Sequence, residues 1–422
     1  MSEATATPGP PRPTVAATLA AWAHGYRPDA DDLALADRAL TDTLAVALAA
    51  REDALRPIAA GLPAAARWAA MAHVLDFDDL HTDTTTHISV VTVPAVLAAG
   101  GGDAGARAYL AGAGVFARLA ARLGWRHYAE GWHITCTAGA PAAAVAAGVA
   151  YGLTPEQLAT AMALAVPAAG GVQEAFGTHG KSLQVGFAAE AGVRAARLAR
   201  AGATADPRAL DSWLRKLGAD PEAEEPLPAS PAVPGGLAIK LFPCCYAMQR
   251  PIAALRELKD RTDGREISRV TVTTPAGTVH PLIHARPSTG LEGKFSLPYA
   301  VATALVDDYP GFAAFTDASV RRPEARALIE RTAEERLPIE TENLLEGEVS
   351  IEVELAGGER LHTAMTLPPG APGRPPTDEE LAGKLAACGP DVPALLAGID
   401  WTGGAELLAK TYPLTLPQEE KA

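Results

Sequence analysis

Leu75-Asp76-Phe77-Asp78-Asp79-Leu80-His81-Thr82-Asp83-Thr84-Thr85-Thr86-His87-Ile88-Ser89-Val90-Val91-Thr92-Val93-Pro94 is the most informative stretch of this chain. Four aspartates, two histidines and four threonines fall within twelve residues of an otherwise apolar, alanine-rich sequence. Full burial of so many ionisable groups without a use would cost several kcal/mol apiece. The segment is therefore either a solvated loop or the polar floor of a site. The apolar run that follows, Val90 to Ala98, leads straight into a core element. A charged cluster abutting the core is the better candidate for a site.

The surrounding composition points to packed helices. The chain has 422 residues, 48% of them hydrophobic and only 5% aromatic, enough to bury a large core. Abundant alanine favours closely packed helices over a β-sandwich. A net charge of −14 argues against nucleic acid or an anionic membrane surface as a partner. No N-terminal h-region, basic amphipathic run or apolar stretch long enough to span a bilayer is visible, so the expected location is the cytoplasm. Cys136, Cys244, Cys245 and Cys388 lack paired C-x-x-C spacing and read as buried thiols.

Outward from the central stretch, Met1 to Pro13 reads as a disordered tail, and the pattern from Val15 to Val74 is helical. Thr41 to Ala50, Gly105 to Leu123, Gly139 to Tyr151 and Leu183 to Ala201 are expected helices. Thr154-Pro155-Glu156-Gln157 starts another, with Thr as N-cap, Pro at N1 and Gln at N3, running through Val166. Helix continues to about Thr262, broken by a proline-rich connection from Gly202 to Gly236 that holds a short helix around Ala209 to Leu217. After Gly264 the texture changes. Ile267 to Thr273 alternates as a half-buried strand does; Glu348 to Leu355 and Arg360 to Leu367 form a hairpin over Ala356-Gly357-Gly358-Glu359. Tyr299 to Val306 and Glu324 to Thr332 are expected helices between them. Pro368 to Pro376 is a linker, and Asp378 to Cys388 and Val392 to Ile399 return to helix. The expected fold is mainly α: a large all-helical domain made by both chain ends (residues 14–264 and 373–422) and a smaller inserted α+β domain at 265–372.

Five segments carry chemistry-bearing residues. In the first, His81 and His87 lie six apart, matching no common metal spacing, although the aspartates leave Mg²⁺ or Mn²⁺ open. In the second, Gly131 to Ala140, His133 precedes a helix N-terminus, whose dipole favours a neutral imidazole that can act as a base; a core histidine is the plainer reading. The third, Gly170 to Ser182, places Lys181 at a glycine-flanked helix entrance. Only eight of the 36 lysine and arginine residues are lysines, so its position stands out. Backbone N–H groups plus an ammonium make an anion site, but Ala175 stands where a P-loop needs glycine and no strand precedes it. Lys240-Leu241-Phe242-Pro243-Cys244-Cys245 and Gly293-Lys294-Phe295-Ser296-Leu297-Pro298-Tyr299 each set a lysine beside an aromatic residue, and are uninformative singly.

In order, these five segments resemble the MmgE/PrpD superfamily of 2-methylcitrate dehydratases and cis-aconitate decarboxylases. That family shows Asp-Phe-Asp-Asp-Thr-His, His-Pro-Ser, Gly-Phe/Trp-His-x-Thr, Thr-Lys-x-Leu-His-x-Gly-Arg, Lys-x-Tyr-Pro-x-Cys with a downstream His, and Lys-Phe-Ser-x-x-Tyr. The resemblance spans residues 15 to 410. It implies a homodimer, cofactor-free chemistry on a small carboxylic acid, and a site of Asp76, His81, His87, His133 and Lys181 with Lys294 and Tyr299 from the insert; the absence of a standard ligand spacing separately predicts that no metal is required. Asp76, His87, His133, Lys181 and Tyr299 are the expected catalytic residues; His81, Gln184, Gln249 and Lys294 are the expected substrate contacts. Leu80 and Ile88 depart from the family's Thr and Pro, while Gln184, Phe187 and Gln249 replace a His, an Arg and a His. If the last three line the pocket, the substrate carries fewer carboxylates than methylcitrate. The expected reaction is that of a dehydratase or decarboxylase working by proton transfer α to a carboxylate. His133 or His87 would move the proton, Lys181 would hold a carboxylate and Asp76 would orient a histidine. The alternatives are an isomerase or epimerase of an amino- or imino-acid using two histidines, and a degenerate binding protein of the same fold. Retention of Asp76, His87, His133 and Lys181 argues against the latter.

Overall fold

A computed structural model describes residues 12–223, 227–228, 230–338, 344–345 and 347–415. The expected N-terminal tail lies outside the described residues up to position 11. The fold is mainly helical, with one four-stranded sheet.

The Gly139–Ala150 helix is the axis of the helical part: every residue but Ala150 is buried. It is packed by the Gly105–Ala129, Pro155–Ala165, His179–Arg200 and Ser89–Ala98 helices. Small residues allow this. A Cβ on Gly192 would lie 2.4 Å from the Ala143 Cβ, and one on Gly186 would lie 2.4 Å from the Ala66 carbonyl oxygen. Close approach at Gly186 draws the His179–Arg200 helix onto the Ala64–His73 helix, which fixes where Lys181 can reach. The expected Thr154 start is present as a full capping box with Gln157.

The C-terminal helices return to this core. Cys388, Val392, Leu396, Trp401, Leu408 and Tyr412 belong to the same apolar cluster as the N-terminal helices. The Tyr412 hydroxyl donates to the Ala47 carbonyl at 2.5 Å, and Arg67 Nε donates to the Tyr412 carbonyl at 3.0 Å.

A second apolar cluster surrounds the sheet. Strands β1 (Ile267–Pro275), β2 (Thr332–Leu337), β3 (Val349–Leu355) and β4 (Arg360–Met365) take the order β2-β1-β3-β4. β1 pairs antiparallel with β3 through Val270 opposite Val353, and β3 with β4 through Val349 opposite Met365. β2 lies parallel to β1, with Val270 opposite Thr332. Sequence periodicity misses β2, where Thr-Ala-Glu-Glu-Arg-Leu is nearly all polar or exposed at the sheet edge. The Gln249–Arg256 helix, expected with the helical part, packs instead against β3, β4 and the Leu297–Val306 helix. Its Ile252, Ala253, Ala254 and Leu255 feed the second core, so the change of core falls between Val233 and Ala238.

Candidate active site

The charged stretch is a buried loop between the two cores, with a single 3-10 turn at Thr82–Thr84, that leads into the Ser89–Ala98 helix. Asp76 takes a left-handed conformation (φ 52°), as does Thr85 (φ 54°), and they are the only non-glycine residues with positive φ among those described. Such strain gathers where the surroundings over-determine the backbone; both residues line the same cavity. Its walls include Asp76, His87, His133 and Lys181 from the helical side and Cys245, Tyr246 and Phe295 from the sheet side. With about 20 Å³ of room it holds little more than one water molecule.

The carboxylate of Asp76 organises the cations. Its Oδ1 accepts from Lys181 Nζ at 2.8 Å and from Lys240 Nζ at 3.1 Å, while Lys240 also donates to the Asp76 carbonyl at 3.0 Å. Burial opposes ionisation of Asp76, yet the two ammonium groups outweigh it and hold the carboxyl well below the usual range. Its Oδ2 has no partner among the described residues.

Asp78 organises the imidazoles. It is fully buried and accepts from His87 Nδ1 at 2.8 Å and His73 Nδ1 at 3.0 Å. Burial would keep it protonated, but the two histidines hold it well below the ordinary carboxylate value. With Nδ1–H committed to Asp78, each imidazole leaves Nε2 as its acceptor. His73 Nε2 takes a hydrogen bond from Lys181 Nζ at 2.8 Å. Lys181 thus spends two of its three N–H groups on His73 and Asp76, leaving one for a ligand. His87 lines the cavity with Nε2 4.0 Å from Asp76 Oδ1. Burial, assisted by Lys181 and Lys240, drives its pKa down to about 3, so it is neutral at pH 7.

His133 has the opposite tautomer. The Gln184 amide is oriented by Val172, whose N–H donates to Oε1 at 3.1 Å and whose carbonyl accepts from Nε2 at 3.2 Å. Nε2 also donates to His133 Nδ1 at 2.7 Å. Cys136 Sγ lies 3.3 Å from the same nitrogen, and burial keeps that thiol protonated. A nitrogen facing two donors is unprotonated, so the neutral ring carries its hydrogen on Nε2. Burial, then Lys181, holds His133 well below its usual pKa.

Asp76, His87, His133 and Lys181 are therefore brought together at one cavity, while the other expected site residues do not line it. Tyr299 is buried in the second core and its hydroxyl donates to the Ala314 carbonyl. His81 bonds Thr84 Oγ1 at 2.7 Å within the loop and the Pro234 carbonyl at 2.6 Å, which ties the loop to the segment before Gly235. Lys294 donates to the Leu75 and Pro243 carbonyls at 2.6 and 2.7 Å, tying the two halves together behind the site. Gln184 touches the site only through its hydrogen bond to His133 Nδ1. Gln249 is saturated by backbone: Oε1 accepts from the Leu241 and Phe242 N–H groups at 3.2 and 3.1 Å, and Nε2 donates to the Phe242 carbonyl at 2.9 Å. Phe187 is 53% exposed. The expectation that Gln184, Phe187 and Gln249 set the pocket's charge is corrected accordingly, because none of the three faces it.

Sequence reading did not assign His73, Asp78, Lys240 or Tyr246. Asp78 and Lys240 lay in the quoted segments; His73 was masked by its place at the end of an alanine-rich helix. His73, Asp76, Asp78 and His87 offer donor atoms close enough to hold a metal ion. Two of the four already carry the Lys181 ammonium, and one of those also the Lys240 ammonium. No described helix is long and apolar enough to cross a membrane.

Residues 59–213 match the MmgE/PrpD N-terminal domain and residues 242–394 the MmgE/PrpD C-terminal domain. The chain is 30% identical over 308 residues to a cis-aconitate decarboxylase of Aspergillus terreus (strain NIH 2624 / FGSC A1156). It is 29% identical over 308 residues to a second cis-aconitate decarboxylase of Aspergillus terreus. Each match covers 64% of this chain and 62% of the relative, so the chain spans less than two thirds of the length of these relatives. Both domains match in order, and the cavity lies where their residues meet: the chain belongs to the MmgE/PrpD family.

Proposed function

We propose that this protein is a cofactor-independent lyase, of dehydratase or decarboxylase type, that moves a proton at the carbon α to a carboxylate of a small organic acid. The observation that carries this reading is the pair of oppositely poised imidazoles beside Lys181: His87 offers a lone pair at Nε2, His133 a hydrogen. One can take a proton while the other gives one, which is what an elimination or a protonation after loss of CO₂ requires. Lys181 has a spare N–H for a substrate carboxylate, and an ammonium beside developing enolate charge lowers the barrier. In the free site His87 is a weak base; an incoming carboxylate adds the negative charge that raises its pKa towards the working range.

The substrate reading rests on the lining. Among the described residues, Lys181 is the one lysine there and no arginine joins it. An acid with several carboxylates would leave most of them buried without a charge-assisted partner, so we read a mono- or dicarboxylate, fewer carboxylates than methylcitrate. Substrate entry requires the small cavity to widen by withdrawal of sheet-side residues such as Phe295. We further read the helical part as one domain assembled from both chain ends, the part around the sheet as an inserted domain, and the working assembly as a homodimer.

Incubation with a panel of mono-, di- and tricarboxylates in D₂O, followed by NMR, tests the function. Deuterium at the α carbon with loss of water or CO₂ is the expected result, abolished in Lys181→Met. Exchange without consumption would point to an isomerase. Binding without exchange or turnover would leave a binding protein and sink the proposal.

A further inference from the structure

Tyr246 opens the short turn Tyr246–Met248 directly after the Cys244-Cys245 pair, and its side chain lines the cavity with Asp76, His87, His133 and Lys181. The residue is 3% exposed, yet its hydroxyl has no hydrogen-bond partner among the described residues. A buried hydroxyl without a partner is unfavourable, and native structures rarely keep one without a reason. The neighbouring polar groups do not supply that partner. Gln249, one helical turn further on, is saturated by the backbone of Leu241 and Phe242. The Arg250 guanidinium donates to the Gly347 carbonyl at 2.9 Å and to Thr278 Oγ1 at 2.8 Å.

We propose that the Tyr246 hydroxyl is a specificity-determining contact of this site, donating a hydrogen bond to a carboxylate or carbonyl oxygen of the bound acid. From this segment Cys245 and Tyr246 line the cavity, and of the two Tyr246 carries the unpartnered hydroxyl. The hydroxyl is a donor without charge, and burial pushes its ionisation far above neutral pH. It thus completes the recognition of an oxygen that Lys181 does not reach without adding a second cation. This inference rests on the acid-binding reading of the cavity, and the test separates the two.

Tyr246→Phe removes only the hydroxyl. Melting temperature of the ligand-free protein and calorimetric titration with acetate, succinate, cis-aconitate and citrate are measured for wild type, Tyr246→Phe and Lys181→Met. The expected result is an unchanged or raised melting temperature for Tyr246→Phe, because an unpartnered group has been removed, together with a roughly tenfold weaker Kd for the acid that wild type binds best. A structural role would give the reverse: a lower melting temperature with the Kd intact. A melting temperature that falls by several degrees, or a Kd unchanged in Tyr246→Phe but lost in Lys181→Met, overturns the Tyr246 assignment alone. A Kd unchanged in both variants, or no binding by wild type, overturns the acid-binding reading and this inference with it.

Discussion

Asp79 belongs to the site loop itself, and replacing it by asparagine gives a measurable stability signature. The residue is 1% exposed, with its Oδ2 2.5 Å from Ser89 Oγ, which in turn lies 2.9 Å from the Tyr109 hydroxyl. Burial, reinforced by the nearby charge of Asp42, raises its pKa from 3.8 to about 8. The folded protein therefore holds a proton that the unfolded chain has lost between these two values. Where the native state binds more protons, stability falls as pH rises. Below about pH 4 both states are protonated and nothing is lost; above about pH 8 both are ionised and the loss is complete. Some four pH units at 1.36 kcal/mol each amount to about 5 to 6 kcal/mol. Spread over a chain of 422 residues, that is a shift of about 6 °C. The amide introduced by Asp79→Asn cannot ionise and keeps the contact with Ser89. The buried histidines shift in the opposite direction, but they cancel in the difference between Asp79→Asn and wild type. Melting temperatures from pH 4 to 9 should show the variant gaining on wild type by about 6 °C across that range, then running parallel. Curves that run parallel throughout, or a variant that loses ground as pH rises, would refute a neutral Asp79.

Asp78→Asn removes the carboxylate that fixes the tautomers of His73 and His87; kcat should fall roughly 10²- to 10⁴-fold with KM little changed, and an equal rise in KM would mean that Asp78 serves binding. Lys384→Met breaks a buried ion pair with Asp42 (2.5 Å) and a hydrogen bond to the Phe77 carbonyl (2.8 Å); a loss of about 3 to 5 kcal/mol in denaturant unfolding is expected, eased by adding Asp42→Asn, and a neutral effect would contradict it. Dialysis against EDTA should leave activity intact, since Lys181 Nζ bonds both His73 and Asp76 of the possible metal cluster; activity lost to the chelator and restored by Mg²⁺ or Mn²⁺ would overturn this.

The helices were legible because their apolar periodicity and the Thr154 cap are local signals, and the hairpin because alternation and Gly357-Gly358 are local too. β2 was not, since an edge strand of charged residues carries no period-two pattern. The Gln249–Arg256 helix was placed on the wrong core because a helix's apolar stripe does not say which neighbour it faces. The same limit governs the site. Asp76 and His87 announce themselves in a dense polar segment of an otherwise apolar chain, His133 and Lys181 in glycine-bearing turns at helix entrances, and the cavity collects all four. His73 ends a helix of apolar residues and gains its meaning only when Gly186 lets Lys181 approach. Gln184 and Gln249 show the converse. A change of residue type is visible in sequence, whereas the backbone groups that absorb Gln249 and orient Gln184 are not.

The clamp supplied by Lys384 has a consequence for how the molecule is made. The lysine lies 307 residues downstream of the carbonyl it holds at Phe77. At roughly 5–20 residues per second, a ribosome needs roughly 15 to 60 s to deliver it after the site loop has emerged. During that interval the left-handed turn at Asp76 and the Asp42 carboxylate have no counter-ion from the C-terminal helix, and the proline-rich segment leading to it is still being synthesised. The loop that gathers the imidazoles therefore receives its last support near the end of translation, when the Asp378–Ala387 helix docks.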